Sequence, residues 1–194
     1  MTDEVSKLYN FVYRGQLAEQ SLDAAGRRNR RLAEFESEET ARILSLNLLD
    51  DQHIMNAMAM ANVYIAIAGF ENSVRDLITN VLSEEVGADW WDKCVSEKIR
   101  KAAQAKLEEE NKIRWHVQRG ASPINYTMMG DLVSIFRQNW PRFEPYIPTI
   151  EWATGLIDVI ERSRNVIMHS GMLTRTDVER VGMYIRDWIK QVGT

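Results

Sequence analysis

"MNAMAMANVYIAIAGFENSVRDLITNVL", residues 55–82, decides the fold class. No proline interrupts it, and it is far longer than the usual strand of a globular domain. It is apolar nearly all round as far as Phe70 and takes up an amphipathic register beyond that point. The pattern predicts one long helix from Asp51 to about Glu85. A helix that is apolar all round is buried in a bundle or at an interface. Met55, Met58 and Met60 therefore read either as plain core or as a soft, adaptable surface.

Outward toward the C-terminus, "GADWWDKCVSEKIRKAAQAKLEEENKIR" (87–114) predicts a further, polar helix, and "GASPINYTMMGDL" (120–132) a loop. Asp131 opens a short helix, "LVSIFRQNW", before the loop "PRFEPYIP". All four prolines lie between Pro123 and Pro148, and no alternating strand pattern is convincing. A helix starting near Thr149 sets Trp152, Leu156, Val159/Ile160, Ser163 and Ile167 on one face, with Gly171 at the left-handed position that ends it. Thr176 with Glu179 forms a capping box for a last helix that buries Val178, Val181, Ile185, Trp188 and Val192.

Toward the N-terminus, residues Val5 to Leu49 are rich in Ala, Leu, Glu and Arg. Leu8, Phe11/Val12, Leu32 and Phe35 fall at helical spacing, and Gly15 and Gly26 are weak interruptions. The expectation is an all-α bundle of four to six helices over residues 51–194. An N-terminal helical extension, residues 1–50, precedes it and is suited to pairing with a partner.

Composition narrows the functions. The lone Cys94 permits no internal disulfide, thiolate zinc cage or redox pair. No apolar run is expected to reach the ~18–20 uncharged residues of a membrane span. Asp3, Glu4 and Lys7 at the N-terminus do not read as a signal peptide. The plain expectation is a cytoplasmic protein with no membrane association. A net charge of −4 provides no global basic field. Yet Lys93 to Arg119 holds eight Lys/Arg against four Glu, a local +4, and Arg27, Arg28, Arg30 and Arg31 form a second cluster. Both read either as solvated helix faces or as phosphate-tracking surfaces. Trp90, Trp91, Trp115 and Trp140 either fill the core or stack bases. Phosphate loops, dinucleotide fingerprints, paired metal-binding histidines and calcium loops are missing, and neither cofactor nor metal is expected.

One motif carries chemistry. In "RSRNVIMHSG", residues 162–171, Asn165 and His169 stand four apart on one helix face. Arg164 lies about 140° round the axis from His169. Cationic groups in a last turn also suit the helix dipole, so a polar helix end is one reading. Phosphodiester cleavage without metal is the other. A histidine can take the proton of a ribose 2′-hydroxyl or return one to the leaving group. An arginine can grip the phosphate and neutralise the growing charge. One helix supplies one histidine where two proton-transfer groups are wanted, and a symmetric dimer would supply the second.

The segment resembles the Arg-x4–6-His signature of the HEPN superfamily. "AGFENSVRDLI", "MMGDLVSIFRQNWPRF" and "TRTDVERVGMYIRDWI" are similar to the branch appended to a nuclear mRNA-quality-control endonuclease. The resemblance covers roughly residues 55–192. It implies a helical domain from a superfamily that includes many metal-independent RNases, with Arg164 and His169 as catalytic pair and Asn165 as polar companion. Glu71 and Arg75 resemble the acidic and basic residues that support such a site, and a simple intrahelical ion pair explains them equally.

Two functions follow. The first is a metal-independent endoribonuclease with a composite site at a homodimer interface, in a bacterial stress, toxin–antitoxin or antiviral defence system. The second is a non-catalytic dimerising or RNA-binding module that serves a partner enzyme through residues 1–50.

Overall fold

A computed structural model of the chain describes residues 38–193 together with Arg14, Ala18 and Ser21. Every regular element among the described residues is helical, as expected. Leu8, Phe11, Val12, Gly15, Gly26, Leu32, Phe35 and the cluster from Arg27 to Arg31 lie outside them. The chain divides into two units, Met1–Met55 and Asn56–Thr194. In the first, residues 38–43 are helical and Leu46–Leu48 form a 3-10 turn.

The second unit holds the core. Helix α1 (Asp51–Val86) buries Met60, Val63, Ile67, Phe70, Val74, Leu77, Ile78, Val81 and Leu82, a stripe at three- and four-residue spacing. Met58, Tyr64 and Ile65 of the same helix are exposed, Ile65 at 65%. The methionines thus divide: Met60 is core, while Met55 and Met58 are surface. Residues 52–70 contain no Asp, Glu, Lys or Arg. The expectation that no run reaches membrane-span length is therefore corrected: by length and composition alone, α1 is long and apolar enough to cross a membrane.

The region expected as one polar helix is two, α2 (Trp90–Cys94) and α3 (Glu97–Asn111). Val95 separates them in an extended conformation (φ −109°, ψ 131°) that accompanies its burial in the core. The backbone N–H of Ser96 is then satisfied by Gln138 Oε1 at 3.2 Å. A 3-10 turn, Pro123–Tyr126, packs against α3 and leads to α4 (Met129–Gln138). α4 begins two residues before the expected Asp131, because that side chain reaches back to the Met128 N–H at 2.8 Å and caps the helix as its third residue.

The short α5 (Trp140–Phe143) precedes α6 (Ile150–Met168), which starts where Thr149 Oγ1 accepts the Trp152 N–H at 3.1 Å. α7 (Arg175–Val192) is capped by Thr174 and Asp177, not by Thr176 and Glu179. Both pairs satisfy the three-residue spacing; the earlier one extends the helix, and Glu179 instead pairs with Arg175 at 2.9 Å. Five helices of ten or more residues are present among the described residues, within the expected four to six.

Trp188 of α7 joins the bundle. Its ring meets Phe70 edge-on at 5.4 Å and stacks with Trp152 at 6.1 Å, and its indole N–H donates to Ser73 Oγ at 3.0 Å. Phe136 of α4 lies 6.4 Å away. One side chain therefore touches α1, α4 and α6.

Candidate functional site

The C-terminal turn of α6 presents the expected residues. Arg164 is partly buried, while Asn165 and His169 are exposed. His169 is the last residue of the helical path, and among the described residues its ring has no hydrogen-bond or charged partner. Ser170, not Gly171, takes the left-handed conformation, at φ 61°. The Ser170 N–H donates to Ile167 O at 2.9 Å and the Gly171 N–H to Val166 O at 2.8 Å, the paired bonds of a Schellman ending. Gly171 is required for a different reason: a Cβ there would stand 2.8 Å from Val166 O and 2.7 Å from its Cγ1. The turn around His169 is fixed by main-chain bonds and the imidazole is left free.

Arg164 is tied down. Its Nε lies 3.5 Å from Glu71 Oε2 on α1. The other oxygen of that carboxylate takes Arg75 Nη2 at 2.5 Å. One carboxylate therefore serves two guanidiniums, and Glu71 is only 14% exposed. Arg75 continues the chain of contacts through Nε to Ile124 O at 3.3 Å and through Nη2 to Thr127 O at 3.2 Å, which anchors the Pro123–Tyr126 turn. Arg164 stays 31% exposed, and among the described residues its two Nη atoms have no partner. A guanidinium ion-paired at Nε with its outer edge open can donate to two oxygens of a phosphate.

The structure brings Arg164, Glu71 and Arg75 into one network. Asn165 and His169 stand outside it, His169 five residues on from Arg164, about 7.5 Å along the helix axis. Sequence reasoning missed the two carbonyls of the turn. The available signal was position: Arg75 sits beside buried Val74 and one turn from buried Ile78, where a cation demands several partners. Among the described residues no three His, Cys, Asp or Glu side chains converge as metal ligands.

The basic stretch from Lys93 to Arg119 is largely paired. Lys93, Arg100, Lys101 and Arg119 meet Asp89, Asp92, Glu97 and Glu110, and Lys106 Nζ donates to Tyr126 O at 3.0 Å. A groove of about 410 Å³ lies between α3 and the turn, lined by Trp91, Arg100, Gln104, Pro123 and Tyr126. The tryptophans sort clearly. Trp90 and Trp188 are buried, Trp91, Trp140 and Trp152 half-buried, and Trp115 is 85% exposed.

Compared with known proteins, residues 66–193 match the family model of the Swt1-like HEPN domain. No curated protein and no solved structure matches the chain.

Proposed function

Because the chain belongs to the Swt1-like HEPN family, we propose that it is a metal-independent endoribonuclease. HEPN domains serve as RNases or as nucleotide-binding modules, and the geometry around Arg164 favours the first. The observation that carries the reading is the Arg164 guanidinium, held at Nε by Glu71 with both Nη atoms open, on the same helix end as an unencumbered His169.

In this reading the Nη atoms of Arg164 bind the non-bridging oxygens of the scissile phosphate and offset the charge that grows as the ribose 2′-oxygen attacks phosphorus. His169 receives the 2′-hydroxyl proton, and the partner's His169 gives a proton to the departing 5′-oxygen. The products are a 2′,3′-cyclic phosphate and a 5′-hydroxyl. Asn165, exposed one turn before His169, orients the imidazole or an RNA oxygen. Glu71 and Arg75 position Arg164 and do not touch the substrate.

The two-histidine requirement implies a homodimer. Support comes from exposed apolar side chains beside the motif, Val166, Met168 and Met172, and from Met58 and Ile65 on α1. The setting proposed for this activity is the cytoplasm, in a bacterial stress, toxin–antitoxin or phage-defence system. A non-catalytic dimerising module, with a protein partner docking on residues 1–50, is the second reading, and the same exposed apolar residues favour it.

Cleavage of a labelled mixed RNA pool by the full chain in EDTA tests the proposal. The expected result is cyclic-phosphate ends, with activity lost in both His169→Ala and Arg164→Ala. Cleavage indifferent to His169, or none from a folded dimer, would favour the module.

A further inference from the structure

Residues 112–120, "KIRWHVQRG", leave the end of α3 and return toward the Pro123–Tyr126 turn. The base of this loop is closed by several contacts. Glu110 takes Arg119 Nε at 2.5 Å with one oxygen and the Arg119 backbone N–H at 3.2 Å with the other. Gln118 Nε2 donates to Asn111 Oδ1. The Tyr126 hydroxyl donates to Gly120 O at 3.3 Å, and the Arg119 guanidinium stands 6.0 Å over the Tyr126 ring. A Cβ at Gly120 would meet the amide end of the Asn125 side chain, which would have to turn aside.

A loop with so firm a base holds its tip in water. Trp115 and Val117 are both 85% exposed, and among the described residues the one ring contact of Trp115 is a T-shaped pair with His116 at 5.5 Å. The fold does not use this indole as core. Cations flank it. Within the basic stretch from Lys93 to Arg119, only Lys98, Lys112 and Arg114 have side chains with neither an ion pair nor a hydrogen bond among the described residues. Two of those three stand within three residues of Trp115. An open aromatic ring close in sequence to unpaired cations suits a nucleic-acid strand, whose bases stack and whose phosphates neutralise charge. A base must be free of a duplex to stack on a side chain, which selects single-stranded RNA over double-stranded.

The loop also connects to the site described above. Tyr126, which holds Gly120, belongs to the turn whose Ile124 carbonyl receives Arg75, and Arg75 shares Glu71 with Arg164. We propose that residues 112–120 form the substrate arm: Trp115 stacks an unpaired base of single-stranded RNA, and Lys112 and Arg114 bind the flanking phosphates. Its place in catalysis rests on the ribonuclease reading; its binding of RNA does not.

The test is equilibrium binding of a fluorescein-labelled, mixed-sequence single-stranded RNA and of its duplex. The full chain carries His169→Ala, with EDTA present, so that no cleavage intrudes. Trp115→Ala is expected to weaken single-strand binding about 10- to 100-fold, the range of one base stack, while Trp115→Phe retains most of the affinity. Lys112→Glu with Arg114→Glu should flatten the salt dependence, by about 0.7 in the log–log slope for each phosphate that is no longer bound. Duplex binding should not change with Trp115→Ala. Unchanged melting temperatures would show that each variant is folded.

Single-strand affinity indifferent to Trp115 overturns the proposal, even if the wild-type chain cleaves RNA and the nuclease reading stands. Trp115-dependent binding by a chain that never cleaves RNA upholds the arm and removes the nuclease. Trp115-dependent binding to phosphatidylserine vesicles, with RNA affinity unaffected by Trp115, overturns it in favour of a membrane surface.

Discussion

Glu71 divides one carboxylate between Arg75 and Arg164, and its two partners lie on different helices. Glu71→Gln keeps the shape of the side chain and removes the charge both arginines face. Loss of charge-assisted bonds of this kind costs about 1.5–3 kcal/mol, and urea unfolding should register a drop of that order. Cleavage in EDTA should fall as well, because nothing then aims the Arg164 fork. Full activity in Glu71→Gln would mean that Arg164 is positioned by α6 alone. The Glu71–Arg75 pair was legible from helical spacing, since residues four apart share a face. Its reach to Arg164 was not, because two helices far apart in the chain approach each other through packing that no local period records.

At the scale of elements, both ends of the α6–α7 connection are set by main-chain geometry. Gly171→Ala would drive a methyl group into the Val166 carbonyl, and thermal unfolding should show a loss of about 1–3 kcal/mol. Ser170→Gly relieves a left-handed serine and should raise stability by about 1 kcal/mol. At the start of α7, hydrogen bonds from the Thr174 hydroxyl and backbone N–H hold the Asp177 carboxyl below its ordinary range. A lowered folded-state pKa contributes stability that is complete above the ordinary carboxylate value and is lost as pH falls through the lowered one. Thr174→Ala should therefore lower the melting temperature near neutrality and weaken its acid dependence. Helix existence and face were legible here; the terminal residues were not. Thr174 with Asp177 and Thr176 with Glu179 carry the same signal, and Ser170 and Gly171 both permit a helix stop, so three-dimensional closure made the choice.

Across the whole molecule, Trp188 is the shared contact of α1, α4 and α6. Trp188→Ala should destabilise by about 3–5 kcal/mol in denaturant titration. Trp188→Phe should cost less, giving up the bond to Ser73 but keeping aromatic packing. The inward stripe of α7 was readable because charged residues occupy its other face. Exposure of Ile65 and Tyr64 on α1 was not readable, since an all-round apolar helix looks the same whether neighbours cover all of it or half. If a second copy covers that surface, Ile65→Glu should shift sedimentation equilibrium toward monomer while leaving circular dichroism unchanged.

Six indoles, of which one stands in water, also give the protein an internal optical probe. Emission from the five buried or half-buried rings should lie to the blue of that from Trp115, the ring most open to collisional quenchers. Iodide should extinguish a red component selectively, and Trp115→Phe should abolish that component. The loop could thus be followed in the native chain, without an attached dye, while RNA, a second copy or a protein partner is added.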